Sequence, residues 1–261
     1  MWKKSFRAGY AFPHAEPYSL FALCYDRVMQ SIDYKKWAGY VDQILKRYHC
    51  PGNSVLDIAC GTGKFLDFLS RHGYSGAGMD ISSSMLERAR ELYTSNNSLE
   101  FFQGDMRTIS VSRQYDAAIC LHDSMNYLTS YEDISDVLHS VYSTLLPRGL
   151  FIFDLCTRFS ILRNFSGQVF SEDTAEYAYI WRNRYSRFTG KARVTIDFLI
   201  KSEPAQCGRE RHEQRIFSIR AVKKLIAQDQ RYDLLGCFDD FSQQPAGRRT
   251  ETATFVLRRR A

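Results

Sequence analysis

The chain has 261 residues, of which 44% are hydrophobic and 25% are charged, and its formal net charge is +6. This composition supplies enough apolar residues for a packed core and excludes an intrinsically disordered chain. No apolar run approaches the roughly 20 residues that a membrane-spanning helix needs, so we expect no membrane partner. No apolar stretch follows the basic residues at the start, so we expect no secretory signal. The length favours one α/β domain with an elaboration.

Cysteine usage and charge distribution give two further expectations. The seven cysteines are scattered and none forms a Cys-x-x-Cys pair, which indicates reduced thiols in a cytoplasmic protein, with neither disulfides nor a metal site. The excess of basic residues lies in the last third of the chain. It could attract an anionic substrate, although solvated arginines on strand faces would explain it as well.

The N-terminal part of the chain is predicted to contain a flexible leader over residues 1–17 and then a helical cap. An aromatic run follows the leader, and some of its large side chains could share one apolar helix face that packs on a sheet: Tyr18, Phe21, Tyr25, Met29, Tyr34 and Trp37. A helix is predicted from about residue 37 to 49, ending near Pro51.

The segment Val55–Gly63 combines a β-favouring apolar run, the acidic residue Asp57 and a turn that contains Gly61 and Gly63. It predicts a buried strand that ends in a loop where backbone can approach a ligand closely, because glycine lacks a Cβ and tolerates positive φ. Helical periodicity begins directly afterwards. The unit is therefore strand, glycine turn and helix.

Two common glycine-loop motifs do not fit this spacing. The dinucleotide fingerprint needs a third glycine where the chain has Leu66, and the phosphate-binding P-loop needs Ser or Thr where it has Phe65. A loop without a phosphate cradle, with Asp57 at its start, suits a cationic ligand that lacks phosphates. S-adenosylmethionine fits this description because it carries a sulfonium, an α-amino group, a ribose and an adenine.

Acidic residues also follow the next two predicted strands. Gly76–Ser82 predicts a strand that ends in Asp80, whose carboxylate could accept both ribose hydroxyls, although NAD enzymes use the same arrangement. Leu99–Gln103 predicts a third strand. After it, Asp105 is placed to bond the adenine amino group and Met106 to pack on the ring.

The later elements predict a parallel sheet with an insertion. Residues 115–121 and 150–155 read as the fourth and fifth strands, with a helix over about 131–146 between them, and alternating strands and helices imply parallel pairing. Residues 166–217 show the alternation of antiparallel strands, at 177–185, 193–201 and 211–217, and we interpret them as a lid over the substrate. Residues 218–261 supply a last helix, from 219 to about 228, and two final strands, at 233–241 and 252–259.

Taken together, Asp57–Gly63, Gly78–Asp80 and Gly104–Met106 resemble the class I S-adenosylmethionine-dependent methyltransferases in order and spacing. Three stretches are similar to the small-molecule branch of nucleotide-sugar N-methyltransferases and glycine N-methyltransferase-like enzymes: 18–37, 123–128 and 209–217. The resemblance covers roughly residues 18 to 258. It implies a Rossmann-like seven-stranded sheet, with the cofactor-binding core and its cap helices over 18–165 and a small antiparallel sheet after the fifth strand.

The resemblance also implies a set of site residues. Those assigned to S-adenosylmethionine are Tyr25, Trp37, Asp57, Ala59, Cys60, Gly61, Thr62, Gly63, Asp80, Ile81, Met85, Gly104, Asp105, Met106, Leu121 and His122. Tyr127 and His212 match positions near the substrate amine, and with His122 they are the candidate catalytic residues. Each of these three could instead be a structural side chain.

These features predict a methyltransferase for a small molecule, with N-methylation favoured over O-methylation on the resemblance alone. In-line methyl transfer needs an aligned lone pair about 3 Å from the methyl group, and a base only if the acceptor arrives protonated. The alternatives are a protein or RNA methyltransferase and a non-catalytic cofactor-binding scaffold. Leu121–Ser124 lacks the prolines typical of enzymes that methylate nucleic-acid amino groups, so we expect no nucleic-acid partner. The sequence leaves a monomer and a homodimer open.

Overall fold

The computed structural model describes residues 11–261. The elements of the first half are β1 (His14–Ala15), a 3-10 turn (Phe21–Leu23), α1 (Tyr25–Val28), α2 (Tyr34–Arg47), β2 (Ser54–Ile58), α3 (Lys64–Ser70), β3 (Ser75–Asp80), α4 (Ser83–Tyr93), β4 (Leu99–Gln103), β5 (Tyr115–Cys120) and α5 (Tyr131–Thr144). Those of the second half are β6 (Leu145–Cys156), α6 (Arg158–Ser160), a π-helical turn (Ile161–Phe165), β7 (Val169–Asp173), β8 (Tyr177–Tyr185), β9 (Lys191–Ile200), β10 (Gln206–Arg215), α7 (Ile219–Gln228), β11 (Tyr232–Asp239) and β12 (Thr252–Arg259).

A seven-stranded sheet organises the larger part of the molecule, in the order β11-β12-β6-β5-β2-β3-β4. Strands β6, β5, β2, β3 and β4 are parallel, whereas β12 runs antiparallel to both β6 and β11. The predicted Rossmann-like α/β sheet is therefore confirmed. The parallel strands place all their carboxyl ends at one edge, where ligands of such folds bind.

Both faces of this sheet are buried, because successive side chains of a strand point to opposite sides. In β2, Leu56 and Ile58 join the apolar cluster that packs on α5 and α7, while Val55 joins the cluster on α2 and α3. Local signals fix the helix starts. The Ser82 side chain accepts the Met85 N–H at the start of α4, and a capping box joins Ser130 to Asp133 at α5.

The second sheet has five strands, in the order β1-β10-β9-β8-β7. Strands β7 to β10 are antiparallel neighbours, and β1 adds to β10 in parallel. The small sheet after the fifth strand thus contains the three predicted strands, the additional β7, and a strand from the N-terminal part of the chain. It covers the edge of the large sheet at which the parallel strands end.

The N-terminal segment differs from its prediction in two respects. Residues 1–10 of the expected leader lie outside the described residues, but His14–Ala15 pairs with β10, so this part is incorporated in the small sheet. The aromatic run does not form one helix face, because the 3-10 turn and α1 are short and separate from α2. Phe21 packs instead among aromatic side chains of the small sheet, with Trp181 and Phe198 about 5–6 Å away between ring centroids.

Candidate active site

A cavity of about 870 Å³ lies between the two sheets. The loops that follow β2, β3, β4 and β5 form one side of it. Strands β8, β9 and β10 form the other side together with the segment 16–37. Its size is within the range of pockets that enclose small molecules.

The cavity brings together most of the residues that the sequence assigns to the site. Those that line it are Tyr25, Trp37, Asp57, Ala59, Cys60, Gly61, Thr62, Asp80, Ile81, Met85, Met106, Leu121, His122, Tyr127 and His212. Gly63, Gly104 and Asp105 do not line it.

These three residues have structural surroundings that explain their position outside the lining. The Asp105 carboxylate accepts the Arg107 backbone N–H at 2.9 Å and forms an ion pair with the same residue, and its bond to an adenine stays a prediction. A Cβ on Gly63 would lie 2.7 Å from the Phe101 ring, and a Cβ on Gly104 would lie 2.7 Å from the Met79 sulfur. Both glycines therefore permit close packing.

The glycine turn is held by the carboxylate at the end of the neighbouring strand. Asp80 accepts the Gly61 N–H and the Ser82 N–H, each at 2.8 Å. Burial raises the pKa of Asp80, while these backbone bonds oppose the rise. Ala59, at φ 59°, holds a left-handed backbone that costs a non-glycine residue on the order of 1 kcal/mol, and such strain is common at functional sites.

Three observations test whether this turn could hold S-adenosylmethionine. The Asp57 Oδ2 atom is buried and has no hydrogen-bond partner within residues 11–261, and burial followed by the nearby Asp80 raises the pKa of this carboxyl. A Cβ on Gly61, at φ +56°, would meet no atom within 4 Å. Ile81 lines the cavity with 65% of its surface exposed. An unsatisfied carboxylate, an open backbone approach and an uncovered apolar side chain suit a cationic ligand with an aromatic base.

The loop after β5 carries two consecutive residues with left-handed backbone, His122 at φ 63° and Asp123 at φ 59°. The buried Asp154 carboxylate at the end of β6 stabilises them by accepting both backbone N–H groups, at 3.0 and 2.8 Å. His122 contacts the N-terminal segment, because its Nδ1 lies 3.1 Å from the Tyr25 hydroxyl and its ring meets Trp37 edge-on at 5.2 Å. Burial lowers the pKa of His122 to about 4, so the ring is neutral at pH 7.

A continuous series of polar side chains leads from the cavity into the small sheet. The hydroxyls of Tyr18 and Tyr127 are 2.7 Å apart, and Tyr127 lies 3.1 Å from His212 Nδ1. His212 Nε2 lies 3.1 Å from the Glu210 carboxylate. Two of the predicted catalytic residues are therefore joined directly, whereas His122 belongs to a separate hydrogen bond with Tyr25.

Sequence reasoning missed three residues of this site: Tyr18 as a polar group, Asp154 and Glu210. Asp154 could have been found, because it is an acidic residue at the end of a predicted strand, as are Asp57 and Asp80. Glu210 stands two residues before His212, and that spacing places both side chains on one face of a strand. The contact between the Tyr18 and Tyr127 hydroxyls had no local signal in the sequence.

Comparison with known proteins supports an assignment. A family model described as a methyltransferase domain matches residues 55–149. YqeM of Bacillus subtilis (strain 168), a protein named as a methyltransferase, is 30% identical over 215 residues, which is 80% of this chain and 84% of YqeM. The chain belongs to the S-adenosylmethionine-dependent methyltransferases. A crystal structure of an S-adenosylmethionine-dependent methyltransferase from Clostridium acetobutylicum ATCC 824 has the same fold as this methyltransferase, with a TM-score of 0.80 and 24% identity. The match covers 94% of this chain and 99% of that one.

A partial relative of the methyltransferase has a more specific name. The dTDP-3-amino-3,4,6-trideoxy-alpha-D-glucopyranose N,N-dimethyltransferase of Streptomyces venezuelae is 29% identical over 143 residues, which is 55% of this chain and 57% of that protein. Within residues 11–261, no helix has the length and apolar character needed to cross a bilayer. The same part of the chain has no group of three or more His, Cys, Asp and Glu side chains placed to hold a metal ion.

Proposed function

We propose that this enzyme methylates the amine nitrogen of a small acceptor molecule in the cytoplasm. The observation that carries the proposal is the single cavity that joins the glycine turn to the Tyr18–Tyr127–His212 series. S-adenosylmethionine, when bound, supplies a methyl group on a sulfonium that is already activated for displacement. The protein must therefore orient the acceptor, exclude water and accept a proton where the acceptor brings one.

The cofactor side of the cavity is assigned to the loops after β2, β3 and β4. Asp57, whose Oδ2 lacks a partner within the described residues, would accept bonds from the α-amino group, and Asp80 would accept them from the ribose hydroxyls. Ile81 and Met106 offer apolar surface to the adenine. Gly61 would allow the backbone to lie close to the ligand. Tyr25 and Trp37 would close this side through His122.

The acceptor side is assigned to the Tyr127 hydroxyl and the surrounding wall of the small sheet. An amine is favoured over an alcohol because the streptomycete relative is named as an N,N-dimethyltransferase of an amino sugar. A small acceptor is favoured because the cavity of about 870 Å³, bounded by segment 16–37 and the small sheet, has the size of a small-molecule pocket. His212 is the candidate proton acceptor, and His122, which is neutral at pH 7, is the second candidate.

The acceptor is further proposed to carry an anionic group. Arg184 and Arg193 both line the cavity. Arg193 is paired with Glu213 at 2.7 Å, whereas no side chain within residues 11–261 is paired with the exposed Arg184. A free guanidinium at the edge of a cavity suits a carboxylate or a phosphate, which it can bind through two N–H groups.

A turnover screen tests this function. The purified enzyme would be incubated with S-adenosylmethionine and single acceptors: glycine, sarcosine, glucosamine, dTDP-linked amino sugars, their hydroxyl counterparts, a peptide pool and total RNA. We expect S-adenosylhomocysteine release with one or more amines and none with the peptide or RNA pools. Turnover of an alcohol, a peptide or RNA in place of an amine would contradict the proposal. Calorimetric titration with S-adenosylhomocysteine tests the cofactor side of the proposal separately, and absence of binding would contradict it.

A further inference from the structure

Glu210 is the innermost member of the polar series and is completely buried. Within residues 11–261 its ion pair is with His212, which is 4% exposed, and no lysine or arginine pairs with it. Three backbone N–H groups donate to its oxygens, those of Tyr18, Leu20 and Phe21, each at 2.8 Å. A charge this deeply buried requires such donors, and it determines which group donates in each of the neighbouring hydrogen bonds.

The direction of each hydrogen bond follows from this carboxylate. Because an ionised carboxylate only accepts, His212 Nε2 must carry the ring hydrogen that faces Glu210. His212 Nδ1 in the neutral ring is then unprotonated and accepts the Tyr127 hydroxyl hydrogen. Because the Tyr127 hydroxyl donates its only hydrogen to His212, the Tyr18 hydroxyl must donate to the Tyr127 oxygen. That oxygen keeps a second lone pair, and Tyr127 lines the cavity.

We propose that Tyr127, His212 and Glu210 form a proton path that takes the proton of an ammonium acceptor out of the cavity. This inference rests on the proposed N-methylation and adds to it that the acceptor enters protonated. The N–H bond of the acceptor breaks as its proton bonds to the Tyr127 oxygen, while the Tyr127 hydroxyl proton moves to His212 Nδ1. The resulting imidazolium is paired with Glu210. The nitrogen lone pair that is set free then attacks the methyl carbon, and the C–S electron pair stays on sulfur.

The chemistry requires such a step for a basic acceptor. Aliphatic amines are protonated at neutral pH, and a protonated nitrogen has no lone pair to attack with. Proton transfer by a positioned side chain contributes about 10²–10⁴-fold in rate. Tyr127 touches the acceptor in this scheme, whereas Glu210 is a positioning residue that acts through His212. The buried Glu210 carboxylate also balances the charge that His212 acquires.

The test compares two acceptors that differ in basicity. One is the screened amine with the highest kcat/KM, and the other is its alkoxyamine counterpart, in which oxygen replaces the methylene next to nitrogen and leaves the group neutral at pH 7. In H212Q and Y127F we expect kcat for the amine to fall about 100-fold, while kcat for the alkoxyamine falls less than about threefold. The control is Y18F, which retains the Tyr127, His212 and Glu210 side chains of the path. It should lower both rates by the same factor.

If Tyr127 and His212 had a purely structural role, their substitution would lower kcat equally for both acceptors. An equal fall in kcat for the amine and the alkoxyamine, in H212Q and in Y127F, would therefore overturn the inference. Calorimetric binding of S-adenosylhomocysteine shows whether each variant is folded. If H212Q does not fold, the inference is tested by the kinetics of Y127F and by which nitrogen of His212 carries the ring hydrogen. We expect ¹⁵N NMR of the wild type to show hydrogen on Nε2 and none on Nδ1, and the opposite state would overturn the inference. Absence of turnover with every amine would instead contradict the proposed function.

Discussion

Gly61 and Gly63 are two residues apart in one turn, yet their α-carbons have different surroundings. A Cβ on Gly61 would enter open space beside the cavity, whereas a Cβ on Gly63 would lie 2.7 Å from Phe101. We therefore expect G61A to lose most S-adenosylhomocysteine affinity at a stability cost of about 1–2 kcal/mol for its positive φ. G63A should lose more stability because its Cβ also collides with a ring. Calorimetry and urea unfolding measure the two effects, and equal loss of affinity in both variants would contradict this division.

Asp123 is a carboxylate in acidic surroundings. Burial and then the nearby Asp240 raise its pKa to about 6, and it also lies near Asp154, Tyr127 and Cys156. The folded state therefore holds the Asp123 proton more tightly than the unfolded state, and the contribution of this group to stability falls as pH rises from about 4 to 6. D123N removes this loss, and Asn tolerates the left-handed backbone at this position.

The stability advantage of D123N should accordingly be near zero below pH 4 and reach on the order of 1–3 kcal/mol above pH 6. Urea unfolding of both proteins across this range measures it. An advantage that does not change with pH would show that the ionisation of Asp123 is not responsible. D240N is a poor substitute for this variant, because Asp240 accepts the Glu251 and Thr252 N–H groups.

Arg184 and Arg187 provide a matched pair on β8 and the turn after it. Both are exposed, but only Arg184 lines the cavity. For an anionic acceptor, we expect R184M to raise KM about tenfold or more, because a charge-assisted bond of roughly 1.5–3 kcal/mol is lost. R187M should leave KM unchanged. Steady-state kinetics with acceptors that do and do not carry a carboxylate or phosphate measure this, and equal effects on both kinds would contradict it.

Among the elements, the segment from Tyr18 to the end of α1 is held at several points. Glu210 accepts three of its backbone N–H groups, and Asp26 accepts the Thr62 hydroxyl from the glycine turn at 3.1 Å. Phe21, which is 2% exposed, packs on the small sheet. The segment therefore joins the cofactor loop to the substrate wall.

Removing the Phe21 ring should release this segment. We expect F21A to lose about 3–5 kcal/mol of local packing, to lose amide protection over residues 18–28, and to bind S-adenosylhomocysteine more weakly. The large sheet should keep its protection, because its apolar clusters do not include Phe21. Hydrogen exchange read by mass spectrometry measures this. L23A is the control, since Leu23 is 42% exposed in the same turn. Comparable loss of amide protection in L23A would show that packing of Phe21 is not what holds the segment.

Elements were predictable from the sequence wherever a local pattern determines them. The helix predicted from residue 219 to about 228 is α7, and the structure shows its local signal, because the Ser218 side chain accepts the Ala221 N–H at its start. The aromatic run from Tyr18 to Trp37 has helical spacing too, but tertiary contacts with the small sheet divide it into short pieces. Strand β1 has two residues, too few to show any period.

The same distinction applies to the site. Gly61 and Asp80 lie at consecutive strand ends, so parallel topology alone predicts their proximity, and the Gly61 N–H does bond Asp80. Tyr18 and Glu210 are 192 residues apart in sequence, and a strand pairing that no local pattern encodes brings them together. Asp105, whose position after a strand suggested a ligand, also pairs with Arg107 two residues later, a contact that the sequence analysis did not include.

At the scale of the whole molecule, two sheets enclose one cavity, and a ligand there contacts both. Ligand binding to the folded state stabilises it by about 2.7 kcal/mol at 100 times Kd. For a domain of this size each kcal/mol corresponds to about 2–4 °C, so S-adenosylhomocysteine should raise Tm by roughly 5–10 °C. Differential scanning calorimetry measures the shift. G61A should show little or none under the same conditions, and a full shift in G61A would place the ligand away from the glycine turn.

Glu210 gives closure of the cavity a chemical consequence. The donors that fix its orientation belong to Tyr18, Leu20 and Phe21, so they are present only while that segment is seated. If this segment were displaced, the His212 ring could exchange tautomers. With its hydrogen on Nδ1, His212 would donate to Tyr127, and the acceptor would meet the Tyr127 hydroxyl hydrogen where it needs a lone pair. On the proposed proton path, the enzyme would then not methylate protonated amines, and S-adenosylmethionine would be retained until the acceptor is enclosed.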